Sequence, residues 1–191
     1  LTPDDTLVIP HDCYGGSYRL FTNLAQRKHA FKLVIVNFQQ PGWVEQIRLT
    51  GAKMIWLETP SNPLLQITDI KAVCELAKSL AALVVVDNPF LSPVLQQPLA
   101  LGADIVVHST TKYINGHSDI VGGVLICKDQ QQGDELKWWA NCLGITGAPF
   151  DCYMTLRGLR TLEPRLRLQQ ENTAKVVAFL TKQPLVAKVY Y

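Results

Sequence analysis

The chain has 191 residues, 48% of them hydrophobic and 18% charged, which suits one packed domain, or one and a fraction, and excludes a disordered or fibrous chain. Net charge is only +2, with Lys and Arg scattered rather than striped, so no nucleic-acid partner is expected. No run of about 18 apolar residues is present to span a membrane, and Leu1-Thr2-Pro3-Asp4-Asp5 lacks a basic-then-apolar leader pattern; a cytoplasmic protein with no membrane partner is the expectation.

Three strands are expected early, Thr6–Pro10, Leu33–Asn37 and Lys53–Glu58, each a short run rich in Val, Ile or Leu, with segments between them that can be helical. The clearest helix covers Thr68–Ala81, where Ile70, Val73, Cys74, Ala77 and Leu80 recur at i, i+3, i+4 spacing and Thr68 and Asp69 offer a capping start. The strands Leu83–Asp87 and Asp104–His108 follow, separated by a proline-punctuated connection and a turn or short helix over Leu99–Ala103. Their lack of polar alternation marks strands buried on both faces, and hence an α/β fold with a mostly parallel sheet covered by helices.

Gly123–Lys128 reads as a further strand, and from Phe150 to about Lys182 the pattern is helical, with Pro164 as the expected kink or break. Val186–Tyr191 reads as a new strand at the chain end. A strand needs a neighbour to satisfy its backbone, so the sequence is expected to be cut from a larger protein. The five cysteines are odd in number, far apart and never paired as C-x-x-C, as expected of reduced packing thiols. His11, His108 and His117 have no metal-like spacing, and no metal is expected.

Lys112 closes the run Ser109-Thr110-Thr111-Lys112 just after a strand, and Asp87 ends the strand before it. A lysine in an apolar pocket can form a Schiff base, and a carboxylate at a strand mouth can keep a pyridine nitrogen protonated. Together they suit pyridoxal 5'-phosphate, with Ser109 and Thr111 on either side to bond phosphate oxygens. Each residue also has a plainer reading: Asp87 as a cap or turn aspartate, and Lys112 as a surface loop lysine.

Tyr14 precedes Gly15-Gly16, a turn that would let the ring stack on a flat ligand and the phenol handle a proton, or else an ordinary turn with a packing aromatic. Arg19 can present a fork to a substrate carboxylate or sit solvated on a helix. Glu58-Thr59-Pro60-Ser61-Asn62-Pro63 leaves a strand through two prolines, which places Asn62 to bond a ring hydroxyl or simply makes a stiff turn. A G-x-G-x-x-G fingerprint and a Walker loop are absent, which argues against nicotinamide and nucleoside triphosphate chemistry.

The stretches His11–Arg19, Glu58–Pro63, Val86-Asp87-Asn88, Ser109–Asp119, Trp138-Trp139-Ala140-Asn141 and Thr146–Leu162 stand in one order across nearly the whole chain. In that order they resemble the Cys/Met-metabolism family of pyridoxal-phosphate enzymes. The resemblance implies the large domain of a PLP-dependent transferase, aspartate aminotransferase-like and of fold type I, truncated at both ends. Residues 1–165 would form that domain, and 166–191 the helix and first strand of a truncated C-terminal small domain.

It also implies roles. Lys112 would be the Schiff-base lysine, Asp87 the ring-nitrogen partner, and Tyr14 the stacking tyrosine and proton acceptor. Asn62 would contact the ring hydroxyl, Ser109 and Thr111 the phosphate, and Arg19 the distal carboxylate of an ester substrate. Within the family the chain is similar to bacterial enzymes of methionine biosynthesis that join O-succinylhomoserine, or another O-acylhomoserine, to L-cysteine, giving L-cystathionine and succinate. Sister lyases that cleave cystathionine share the cofactor residues, and an inactive fragment is a third reading. The implied partners are small amino-acid substrates and further copies of the full-length chain in a dimer of dimers.

Two departures stand out. Pro89 occupies a position where relatives usually have threonine, removing a hydroxyl and a backbone donor. The family's upstream glycine-containing phosphate loop, the tyrosine and arginine that reach a neighbouring subunit's site, and the C-terminal domain with its α-carboxylate arginine have no counterpart in these 191 residues.

Overall fold

Short apolar runs without polar alternation need cover on both faces, and the chain provides it for Thr6–Pro10, Met54–Glu58 and Leu83–Asp87 while Gly123–Cys127 stays mostly exposed. The computed structural model describes residues 1–27 and 30–191. Strands β1 (Thr6–Pro10), β2 (Lys32–Val36), β3 (Met54–Glu58), β4 (Leu83–Asp87), β5 (Ile105–Ser109) and β6 (Gly123–Cys127) form one sheet in the order β2-β1-β3-β4-β5-β6. The first five are parallel and β6 runs antiparallel to β5. Helices α1 (Gly15–Gln26), α2 (Trp43–Thr50), α3 (Ile70–Leu80), α4 (Ser92–Leu95), α5 (Gln130–Leu143), α6 (Pro149–Leu159) and α7 (Leu162–Leu180) complete the chain, with one π-type turn at Thr110–Ile114.

Alternate side chains of each strand feed two cores. On one face Val8, Val36, Ile55, Leu57, Val84 and Val86 pack with Ile47 of α2 and Val73, Cys74 and Ala77 of α3. On the other, Leu7, Ile9, Met54 and Trp56 meet Phe21 of α1 and Phe31. The two rings of Phe21 and Trp56 meet edge to face with centroids 5.1 Å apart.

Helix α3 follows its apolar spacing closely. It starts at Ile70 because Asp69 takes the cap, its carboxylate accepting the Ala72 N–H at 3.1 Å. Strand bounds differ from expectation by about one residue, for local reasons. β2 is set by β1, as Lys32 N–H bonds the Asp5 carbonyl and His11 N–H bonds the Val36 carbonyl. Asp104 lies outside β5 because its carboxylate accepts the Val84 N–H.

Several expectations change. Pro164 does not break the C-terminal helical stretch: the break falls at Arg160–Thr161, and Pro164 sits in the first turn of α7, where its missing N–H has no partner to lose. Tyr14-Gly15-Gly16 is not a turn but the start of α1. Val186–Tyr191 forms no strand, since no neighbouring strand stands beside it, and Leu185 is fully exposed. The proposed domain boundary at 165–166 lies inside α7, which is continuous from Leu162 to Leu180.

Leu99–Ala103 is turn rather than helix, and α4 and α5 lie where no helix was expected. Among the described residues no helix is long and apolar enough to cross a membrane. Ile55 is fully buried in β3, an interior strand of the sheet; Ile55→Ala is expected to cost about 2–5 kcal/mol of stability, read as a lower urea midpoint with an unchanged slope.

Candidate active site

Sheet order reverses between β1 and β3, because β2 follows β1 on one side and β3 on the other. In open parallel sheets the crevice at the carboxyl ends of such strands is where ligands bind. Four strand ends meet along this rim. β1 delivers His11–Tyr14 and the N-terminus of α1, β3 delivers Glu58–Asn62, β4 ends at Asp87 and Asn88, and β5 ends at Ser109 and the Lys112 turn.

Glu58 and Asp87 are register partners on neighbouring strands, and Asp87 is opposite Val107, two residues before Ser109. Strand alternation puts Glu58, Asp87 and Ser109 on one face. Asp87 is 9% exposed, and among the described residues no donor or cation reaches its carboxylate. Burial first, and the Glu58 carboxylate second, push Asp87 up to about 7. Burial raises Glu58 as well, opposed by the Tyr14 N–H it accepts at 2.5 Å.

Tyr14 caps α1 with its ring 64% exposed and lying over Gly16, where a Cβ would collide with it. Arg19, one turn on, is exposed and folds its guanidinium back toward Gly15 at the same helix end. Asn62 is exposed just beyond Ser61, whose hydroxyl donates to Asp12 at 2.5 Å and so ties the β3 exit to the β1 exit.

Lys112 sits in the π-type turn with φ −87° and ψ −129°, and it is exposed, not enclosed in the apolar pocket that the sequence reading expected. Ser109 is half-buried at the end of β5. Thr111 is already engaged: its hydroxyl accepts the Gly122 N–H at 3.0 Å and donates to the Gly122 carbonyl at 3.3 Å. Of the seven predicted side chains, six lie at or just beyond adjoining strand ends, with Thr111 turned to backbone, and Arg19 lies within α1.

Sequence reasoning missed the residues that hold the rim. The Asn88 carboxamide donates to the Ser92 and Gln96 carbonyls, and Gln96 donates back to Asn88 at 3.0 Å and to the Thr59 carbonyl at 2.8 Å. His108, kept below its ordinary pKa by burial, presents Nδ1 to the Asn88 carbonyl at 2.9 Å. Glu58 carried the same signal as Asp87, an acid closing an apolar strand. Gln96 gave none, because its partners are main-chain atoms of distant segments. Burial pushes the Cys13 thiol up to about 11, so it stays protonated beside Tyr14.

A carboxylate buried without a donor among the described residues, with an exposed primary amine in the turn beyond the next strand, suits a ligand with a cationic ring nitrogen and an aldehyde. This fit rests on Asp87, whose pKa is raised by burial and by the Glu58 carboxylate, so that a cation beside it would be favoured. The class defined by fold and rim is an α/β enzyme of the pyridoxal-phosphate type.

The family model for Cys/Met metabolism PLP-dependent enzymes matches residues 1–191. The chain belongs to that family. It is 53% identical to cystathionine gamma-synthase of Escherichia coli (strain K12) over 191 residues, which is 100% of this chain and 49% of that protein. It is 44% identical to cystathionine beta-lyase of Coxiella burnetii over its whole length and 50% of the relative. Cystathionine gamma-synthase from Xanthomonas oryzae pv. oryzae, solved with aminoacrylate and cysteine, superposes with a TM-score of 0.97 at 53% identity, covering 100% of this chain and 49% of that one. The chain thus spans about half the length of the relatives it matches.

Asp87 has a folded pKa above its unfolded value, so the native chain holds the extra proton between about pH 4 and 7 and loses stability as pH rises through about 7. Asp87→Asn is expected to flatten that loss: without added cofactor, urea midpoints from pH 5 to 8 should fall less in the variant than in the parent.

Proposed function

We propose that this chain is the central, lysine-bearing part of a pyridoxal 5'-phosphate enzyme that joins O-succinylhomoserine, or another O-acylhomoserine, to L-cysteine, giving L-cystathionine and succinate. The observation that carries the reading is the pairing of donor-free, buried Asp87 with the Lys112 turn at neighbouring strand ends. The 53% identity to two cystathionine gamma-synthases across the whole chain supports the choice of reaction. The net change breaks the Cγ–O bond of the ester and forms a Cγ–S bond.

When bound, the cofactor supplies an electron sink for charge developing at the substrate α-carbon. Asp87 would hold the ring nitrogen positive, an attraction that the low dielectric of its buried site strengthens. Lys112 would hold the aldehyde carbon through its amine, and that amine would accept the substrate α-proton and return protons along the substrate. The Tyr14 ring would cover the cofactor ring, and its phenol oxygen would accept the proton of the entering amine. Asn62 bonds the ring hydroxyl and Ser109 the phosphate. Thr111 joins Ser109 by turning its O–H away from the Gly122 carbonyl. Arg19, at the α1 terminus, meets the distal carboxylate of the ester.

Residues 1–165 are read as the large domain and 166–191 as the start of a small one, a division supported by Leu168, Val176 and Phe179, exposed along the outer part of α7. The enzyme is read as a cytoplasmic dimer of dimers; its five free thiols suit a reducing compartment, and exposed Trp138, Trp139, Phe150 and Tyr153 suit burial in an assembly. A second reading is a cystathionine lyase, favoured by 44% identity to the beta-lyase over the same residues.

Pyridoxal phosphate added to the chain is expected to give a yellow band and, after borohydride, a fixed adduct mapping to Lys112, absent in Lys112→Ala. In the full-length protein, O-succinylhomoserine plus cysteine should yield cystathionine. Efficient cleavage of cystathionine with no synthesis would give the lyase reading precedence.

A further inference from the structure

The stretch Thr146–Leu162 has no part in the chemistry above, yet its glycine makes a close approach. Gly158 in α6 lies against Asn115 so tightly that a Cβ would overlap the Asn115 carbonyl. Gly116, at φ +78°, leaves its missing Cβ's place to the guanidinium of Arg165. Both glycines let the C-terminal helices reach the turn that carries Lys112.

Arg165 is half-buried in the second turn of α7. Its Nη1 donates to the Tyr113 carbonyl at 2.9 Å, and its Nη2 donates to the Ile114 carbonyl at 3.3 Å and the Gly158 carbonyl at 2.8 Å. Nε donates to the Thr161 hydroxyl at 3.2 Å. Tyr113 and Ile114 are the two residues after Lys112. A single π-type turn leaves its last carbonyls without a following turn to bond, and the guanidinium fork supplies those donors.

Apolar packing holds the fork in place, since Leu162 and Leu166 of α7 are buried with Ile114 and against Tyr113. Within the turn, Asn115 N–H bonds Thr110 and Gly116 N–H bonds Lys112 at 2.8 Å. On the other side of Lys112 the Gly122 backbone holds Thr111, while Lys112 itself has non-helical backbone angles and an exposed side chain.

We propose that Arg165 is a positioning residue for Lys112, its guanidinium bonding the two carbonyls that follow the lysine and so fixing where the amine stands at the strand ends. The inference rests on the cofactor role of Lys112 given above. A lysine at 165 could not replace it, because one ammonium cannot hold three carbonyls on two elements with a planar fork.

The test uses Arg165→Met and Arg165→Lys in the full chain, with two readouts. Hydrogen exchange of amides 113–116 is expected to quicken about tenfold or more in Arg165→Met, while the β1 and β3 amides keep their protection. The pyridoxal phosphate concentration for half-maximal borohydride-fixed adduct on Lys112 is expected to rise roughly ten- to a hundredfold. Arg165→Lys should fall between the two chains.

Unchanged exchange in the turn, or unchanged adduct formation with the turn loosened, overturns the proposal. If the parent chain gives no adduct at Lys112, the cofactor reading fails instead, and the exchange arm alone decides whether Arg165 holds the turn. Should Arg165→Met not fold, Arg165→Lys is judged by the same two outcomes.

Discussion

The carboxylate of Asp87 is the constraint around which the rim is arranged. It ends a strand whose preceding residues Val84, Val85 and Val86 are all buried, so its charge stands at the edge of an apolar layer where isolated ions are costly. Register then brings a second acid beside it, since Glu58 is its partner on β3. Two carboxylates in one partly dry corner raise each other's affinity for protons. Such a corner is unfavourable alone and favourable for a bound cation, and the Lys112 turn lies beyond the end of the adjoining strand.

Side chains rather than strands set the spacing of this rim. Asp12 and Ser61 link the exits of β1 and β3, Glu58 holds the backbone of Tyr14, and Gln96 ties Thr59 to Asn88. On the far side Arg165 performs the equivalent service for the Lys112 turn. Each bond is worth about 1 kcal/mol net, yet together they link segments far apart in the chain. Preorganisation of this kind, not any one contact, lets a strand-end rim hold a ligand at fixed geometry.

Much of the architecture was legible because burial on both faces leaves a plain mark. The runs Leu7-Val8-Ile9 and Val84-Val85-Val86 lack alternation, and α3 shows a clean apolar stripe with Asp69 at its cap. Other features were misread for identifiable reasons. Pro164 was taken as a break because a proline inside a helix removes a hydrogen bond, but three residues from the start there is none to remove. The apolar pattern of Val186–Tyr191 fits a strand, and pattern cannot supply the neighbour a strand requires. Thr111 looked free in the sequence; only the approach of Gly122 engages its hydroxyl.

By itself the sequence determined the parallel sheet, the chemistry-bearing types at strand ends, and the ordered series Tyr14, Asn62, Asp87, Ser109, Lys112 that resembles one enzyme family. These follow from local apolar periodicity and residue identity, which need no knowledge of distant contacts. Tertiary structure alone decided that Glu58 would stand beside Asp87, that Lys112 would be exposed, and that Gln96 and Arg165 would hold the strand ends. Those outcomes depend on strand register and on side chains bonding to main-chain atoms up to 52 positions away. Backbone carbonyls carry no residue identity, so a sequence gives no sign of which arginine will find them.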